Sequence, residues 1–160
     1  FDAAPPALPG NPVAEPELAD ADRHTVEFAG GMMGNLPRDE MLWLMQSGMA
    51  WTVNGQPHAA DAHAHQAPLF VLQRNATCHL TLVNDTRWFH PIHLHGHHFR
   101  VLTRNGSAEP HTPLRDTVLM APRETMEIAF KADNPGDWML HCHVLEHHAG
   151  GMGGVFRVTG

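Results

Sequence analysis

Apolar and polar residues alternate strictly along Thr125–Lys131, with Met126, Ile128 and Phe130 on one side and Thr125, Glu127 and Ala129 on the other. That period of two is the signature of a half-buried strand. Residues 77–83 repeat the pattern, placing Cys78, Leu80 and Leu82 inward and His79 and Thr81 outward. Shorter apolar runs predict further strands at 25–28, 49–53, 69–73, 99–102, 117–120, 138–142 and 155–158. Turn signals such as Asn54-Gly55, Asn105-Gly106 and Asn134-Pro135-Gly136 divide them. Many short strands at close spacing predict an all-β sandwich or barrel. One short helix is expected at 38–46, where Pro37 supplies a preorganised start and Asp39 and Glu40 suit the positive end of its dipole.

The first 22 residues break this pattern. They carry five prolines and five acids with no Lys or Arg, which predicts an extended linker or a surface-hugging arm at 1–22 ahead of a folded domain at 23–160. The chain holds 10 Lys and Arg against 17 Asp and Glu, a formal charge of −7. An acidic balance of this kind argues against a nucleic-acid or anionic-membrane partner. With no apolar run of about 18 residues, no membrane span is expected. The start at Phe1, with no basic-then-apolar leader, reads as a processed, cleaved or truncated chain. Two cysteines cannot build a disulfide framework, whereas 15 histidines and nine methionines point to soft or borderline metals.

Two segments concentrate that chemistry: His90-Pro91-Ile92-His93-Leu94-His95-Gly96, and His141-Cys142-His143 continuing through His147 to Met152. In an extended chain His141 and His143 point to one side and Cys142 to the other. His93 and His95 share parity, while His90 falls on the opposite side. The ligands sort accordingly. Cys142 and His90 face one centre, joined by His147 and Met152 as a loop returns, while His93, His95, His141 and His143 face another. A Cys–His–His set with a weak axial Met is the donor set of a blue-copper electron-transfer site, and clustered imidazoles with open positions suit copper that binds oxygen.

These motifs resemble the copper-binding segments of the multicopper oxidases (laccases and copper-resistance oxidases among them), specifically their C-terminal cupredoxin domain. The resemblance runs over about residues 25–160 and includes Trp51-Thr52-Val53-Asn54-Gly55, Leu80-Thr81-Leu82-Val83-Asn84 and Arg115-Asp116-Thr117-Val118. It implies a Greek-key cupredoxin β-sandwich. It assigns His90, Cys142, His147 and Met152 to a complete type 1 copper site, His93 to type 2 copper, and His95, His141 and His143 to type 3 copper. It also implies that Cys142, with His141 and His143 beside it, is the electron route to a trinuclear centre that reduces O2 to water. Methionine at position 152 is the bacterial style and implies a potential towards the lower end of the family range.

Half of that trinuclear centre is missing from the motifs here, since the family draws the rest from its first domain. The resemblance therefore implies a partner: an N-terminal chain or fragment, or mates in a homo-oligomer. The reducing substrate it implies is a phenol, an aromatic amine or a low-valent metal ion, and the compartment is periplasmic or secreted. A stand-alone electron carrier and a copper-storage module are the rival readings.

Outside these motifs, structural readings prevail. His63-Ala64-His65 reads as a solvated loop, and Cys78 as a small buried hydrophobe. Met32, Met33, Met41, Met45 and Met49 form a loose cluster that suits either core packing with Met41 and Met45 on a buried helix face, or a copper relay. His97, His98 and His148 flank the motifs, as ligand supports, substrate-edge groups or plain surface. His24, His58, His79 and His111 read as structural or exposed. Glu146 either tunes a copper-bound imidazole or faces solvent, and Asp116 and Glu109 could accept protons or hold a cationic substrate.

Overall fold

The alternating segments become strands of a two-layer β-sandwich in the computed structural model, which describes residues 6–31, 36–58 and 67–160. Along the chain run β1 (Asp22–Gly30), α1 (Arg38–Gln46), β2 (Trp51–Val53), β3 (Val71–Gln73), β4 (Thr77–Asn84), β5 (His90–Leu94), β6 (Phe99–Arg104), β7 (Ser107–Ala108), β8 (Leu114–Arg115), β9 (Thr117–Met120), β10 (Thr125–Lys131), β11 (Gly136–Cys142), α2 (Leu145–Ala149) and β12 (Gly153–Thr159). One sheet has the order β2-β1-β4-β10-β6-β7, with β8 also on β6; the other has the order β3-β12-β11-β5-β9. Most neighbours are antiparallel, but β1 runs parallel to β4 and β12 parallel to β3. Such pairs cannot be joined by a hairpin, and crossing between the layers is what ties the sandwich together.

The inward sets fill the space between the layers. Phe28, Leu80, Leu82, Met126, Ile128 and Phe130 from one sheet meet Ile92, Leu94, Leu140 and Phe156 from the other in a single buried cluster. Cys78 belongs to it and is a free, buried thiol.

The structure departs from the sequence pattern in several places, the short added strands β7 and β8 among them. β5 forms across Pro91, between β9 and β11. Proline is tolerated there because the ladder to β11 reaches only Ile92, beyond the missing N–H. A second helix, α2, replaces the loop expected after Cys142. His79, expected outward, is buried, because Arg23 reaches its Nδ1 at 2.7 Å and Glu127 lies 3.2 Å from its Nε2. Ala129 is likewise buried, held in register between His79 and Arg100 on the flanking strands.

Helix α1 spans the expected residues but buries a narrower face. Leu44 is buried, whereas Leu42, Trp43 and Met45 are 49%, 51% and 64% exposed. The expected Met41–Met45 buried stripe is thereby corrected: Met45 faces solvent. Met32 and Met33 lie outside the described residues, as do His63 and His65. The described part of the arm, residues 6–21, contains no strand or helix and is tied to the first sheet at Glu15 and Glu17. Glu17 N–H bonds to Thr77 Oγ1 at 3.3 Å, and Glu15 pairs with Arg100. No helix among the described residues is long and apolar enough to cross a membrane.

Candidate metal centre

Strands β5 and β11 lie side by side, in a register that sets His141 opposite His93 and Cys142 opposite Ile92. Side-chain alternation does the rest. Cys142 and His90 turn into the sandwich and are fully buried. His93, His95 and His141 are half-buried and His143 is exposed, on the outer side of the same sheet.

The inner group forms at the end of the sandwich. Helix α2 brings His147 back beside Cys142, and Met152 follows, fully buried. Two backbone bonds fix this return: Met152 N–H to the His147 carbonyl at 2.9 Å, and Cys142 N–H to the Met152 carbonyl at 3.1 Å. Gly151 permits the turn, with φ +111° and a virtual Cβ only 2.5 Å from the Trp51 carbonyl oxygen. Any side chain there collides with rigid backbone.

His90 Nδ1, His147 Nδ1 and Cys142 Sγ converge. The nitrogens are 3.1 Å apart, and the sulfur lies 3.8 and 3.7 Å from them. A triangle of these edges encloses a point roughly 2.1 Å from every corner, the reach of imidazole and thiolate bonds to a first-row transition metal. Among the described residues this is the one group of three or more His, Cys, Asp or Glu that could hold an ion. Trp51, itself buried, packs against both imidazoles, with ring centroids 5.1 Å from His90 and 4.5 Å from His147.

The electrostatics suit a soft cation. Burial, with the nearby His147 imidazole, pushes the pKa of His90 down to about 4, so its ring is neutral and has a lone pair to offer. Burial also lowers the pKa of His147. The Cys142 thiol is pushed up to about 11 by burial, despite a 3.4 Å bond from Val144 N–H. Only a bound cation would make it a thiolate at neutral pH. Two imidazoles and a thiol fit copper by donor type and spacing, and the backbone of buried Met152 is bonded beside them.

The outer group is organised through different nitrogens. His93 Nδ1 lies 2.8 Å from the Asp116 carbonyl and 2.9 Å from Thr117 Oγ1, and His141 Nδ1 lies 2.9 Å from the Cys142 carbonyl. A carbonyl only accepts, so both Nδ1 atoms carry hydrogen and both Nε2 atoms are bare in the neutral rings. His141 Nε2 lies 3.0 Å from His95 Nε2. Rings of His93 and His143 approach to 4.6 Å, and those of His141 and His143 to 5.2 Å. Burial lowers the His141 pKa to about 4, with the neighbouring imidazoles adding to the effect. Gly96, at φ +69°, holds the turn after His95 where a Cβ would strike the Trp138 ring at 2.4 Å.

The other residues singled out in the sequence separate cleanly. His97 is buried among Phe130, Trp138 and Phe156, with Nδ1 3.2 Å from the His95 carbonyl, so it braces the motif from the core. His148 packs against His141 with ring centroids 4.4 Å apart, while His98 and Glu146 are exposed. Asp116 serves through its backbone carbonyl, and Glu109 pairs with Arg104. His24 stacks on Phe70, His58 is buried and His111 is exposed. Sequence reasoning missed the roles of Trp51 and of Thr86, whose Oγ1 lies 2.7 Å from His90 Nε2. Trp51 reaches the site across the sandwich, and Thr86 through the turn that precedes His90.

Comparison with known proteins places the chain in one family. Residues 35–160 match the family model described as multicopper oxidase. A multicopper oxidase of Mycobacterium tuberculosis is 38% identical over 102 residues, covering 64% of this chain and 18% of that protein. A laccase of Cryphonectria parasitica is 30% identical over 146 residues, covering 66% of this chain and 24% of the laccase. The crystal structure of a multicopper oxidase from Pseudomonas thermotolerans superposes with a TM-score of 0.79 at 30% identity, covering 98% of this chain and 34% of the other. The chain thus spans about a third or less of the length of these relatives. Fold, buried donor triangle and matched segments converge: this chain is a cupredoxin domain of the multicopper oxidase family.

Proposed function

We propose that the chain is the C-terminal, electron-accepting domain of a copper-dependent oxidase that takes single electrons from a small reducing substrate and reduces O2 to water. One observation carries the proposal: consecutive residues of one strand end serve two donor groups, Cys142 the buried one and His141 the outer one. Bound copper would supply one-electron redox chemistry at the inner group, as type 1 copper, and dioxygen reduction at the outer, as type 2 and type 3 copper. His90, Cys142, His147 and Met152 would hold the first; His93, His95, His141 and His143 would hold half of the second.

The protein's own part is positioning and insulation. Trp51 and the core exclude water from His90 and Cys142, while half-buried His147 offers the edge nearest solvent for an electron donor. The donor would be a phenol, an aromatic amine or a low-valent metal ion. From Cys142 the link to the outer group is a single peptide bond, reinforced by the hydrogen bond between its carbonyl and His141 Nδ1.

The outer imidazoles stand on an accessible face, which supports completion by histidines from another domain, a separate chain or fragment, or a homo-oligomeric mate. A periplasmic or secreted setting is part of this reading. A second reading, a stand-alone blue electron carrier, draws on the completeness of the inner donor set within one chain. Copper analysis with oxygen-uptake measurements separates them. The oxidase reading expects one blue copper in the isolated chain. Further copper and oxygen uptake should appear only with a histidine-bearing partner. One copper with no uptake under any pairing supports the carrier, and many loosely held colourless ions would support storage.

Met152 is expected to act as the weak axial donor. Met152→Leu conserves volume, so its stability cost should stay below about 1.5 kcal/mol. Loss of the thioether should keep the blue colour and raise the reduction potential. Redox titration checks this, and an unchanged potential would remove Met152 from the ligand set.

A further inference from the structure

The segment between β4 and β5 contains a chain of buried hydrogen bonds whose direction is set at one end. Asn84 is 1% exposed, and its side-chain nitrogen lies 2.8 Å from the Trp88 carbonyl and 2.7 Å from the Ala121 carbonyl. Both partners can only accept, so the amide cannot be flipped and its oxygen must face the other way. There it receives Thr86 N–H at 3.1 Å and lies 2.7 Å from Thr86 Oγ1.

Thr86 is fully buried and has one hydroxyl hydrogen to give. Asn84 Oδ1 at 2.7 Å claims it over the Trp88 carbonyl at 3.3 Å. The hydroxyl oxygen then acts as an acceptor, taking Trp88 N–H at 3.1 Å and facing His90 Nε2 at 2.7 Å. An oxygen that has committed its hydrogen can meet Nε2 only if Nε2 carries one. In the neutral ring, Nδ1 is then bare, and Nδ1 is the atom that faces Cys142 Sγ and His147 Nδ1.

We propose that Thr86, oriented by Asn84, is a positioning residue that locks His90 in its Nε2–H tautomer and so presents Nδ1 to the inner donor group. This deepens the copper reading and rests on it for consequence, though the lock itself is a property of the metal-free chain. An acceptor behind a metal-bound imidazole also makes the ring a stronger donor, which favours the oxidised metal. Thr86 should therefore hold the potential down as well as the ring in place.

The test uses the full chain, metal-free and copper-loaded, with Thr86→Val as the near-isosteric variant and Thr86→Ser as the variant that keeps the hydroxyl. Nitrogen-15 NMR of the metal-free wild type should show His90 as the Nε2–H tautomer. Thr86→Val should give mixed tautomers, 10- to 100-fold weaker copper binding and a higher potential. Thr86→Ser should restore all three. An Nδ1–H tautomer in the wild type overturns the proposal without any variant, even if Thr86→Val fails to fold. So does a Thr86→Val chain with an unchanged tautomer and copper affinity within twofold of wild type. Failure of the wild type to take up blue copper would instead overturn the copper reading, leaving the tautomer measurement to stand alone.

Discussion

Cys142→Ser is expected to remove the blue colour completely and to reduce oxygen turnover of the assembled oxidase below detection. The substitution changes one atom. A serine hydroxyl does not ionise at neutral pH and is a hard donor, so the thiolate bond that copper needs is lost along with the intense absorption it produces. The two imidazoles at 3.1 Å remain but cannot complete the trigonal set. Folding should survive, because a hydroxyl can accept the Val144 N–H that now points at Sγ. Circular dichroism establishes the fold, an optical spectrum the colour, and metal analysis the loss of one copper per chain. A blue Cys142→Ser protein would show that the thiol is not the ligand.

The complementary double substitution, His141→Ala with His143→Ala, should give the converse phenotype. Both side chains belong to the outer group, and His143 is exposed, so the buried donor triangle is left intact. The blue colour and its bleaching by an electron donor should persist. Oxygen uptake in the assembly with a histidine-bearing partner should fall at least 1,000-fold, about 4 kcal/mol of barrier. Stopped-flow reduction followed by oxygen-electrode measurement separates the two halves of the reaction. Uptake within tenfold of wild type would break the proposed division of labour between the two faces of β11.

Much of this site was legible because His90, His93 and His95, and likewise His141, Cys142 and His143, lie one to three residues apart on strands or just past their ends. Strand parity alone separates Cys142 from His141 and His143, and His90 from His93. The structure brings each set together on opposite sides of one sheet. Parity says nothing past the strand end. The five-residue α2 that returns His147 is too short to show a helical period, and Val144, which precedes it, offers no side-chain cap. Trp51 and Thr86 were illegible for another reason. Each contacts the ligands across the sandwich or through a turn, and a threonine within Asn84-Asp85-Thr86 looks like any turn residue.

The core was read well on the apolar face of β10, at Met126, Ile128 and Phe130, and poorly where charge is paired on the outer face. His79 is buried because Arg23 and Glu127 stand at its two ring nitrogens, a compensation that single-strand periodicity cannot register. Helix α1 illustrates the opposite limit. Its start follows from Pro37 and the acids, but Leu44 alone is buried, and Leu42, Trp43 and Met45 remain exposed.

The most direct measurement is anomalous diffraction at the copper edge from crystals of the copper-loaded chain. A single strong peak about 2 Å from His90 Nδ1, His147 Nδ1 and Cys142 Sγ, with Met152 alongside, is the predicted result. Copper bound elsewhere, with Cys142 buried and unligated between two empty imidazoles, would contradict it.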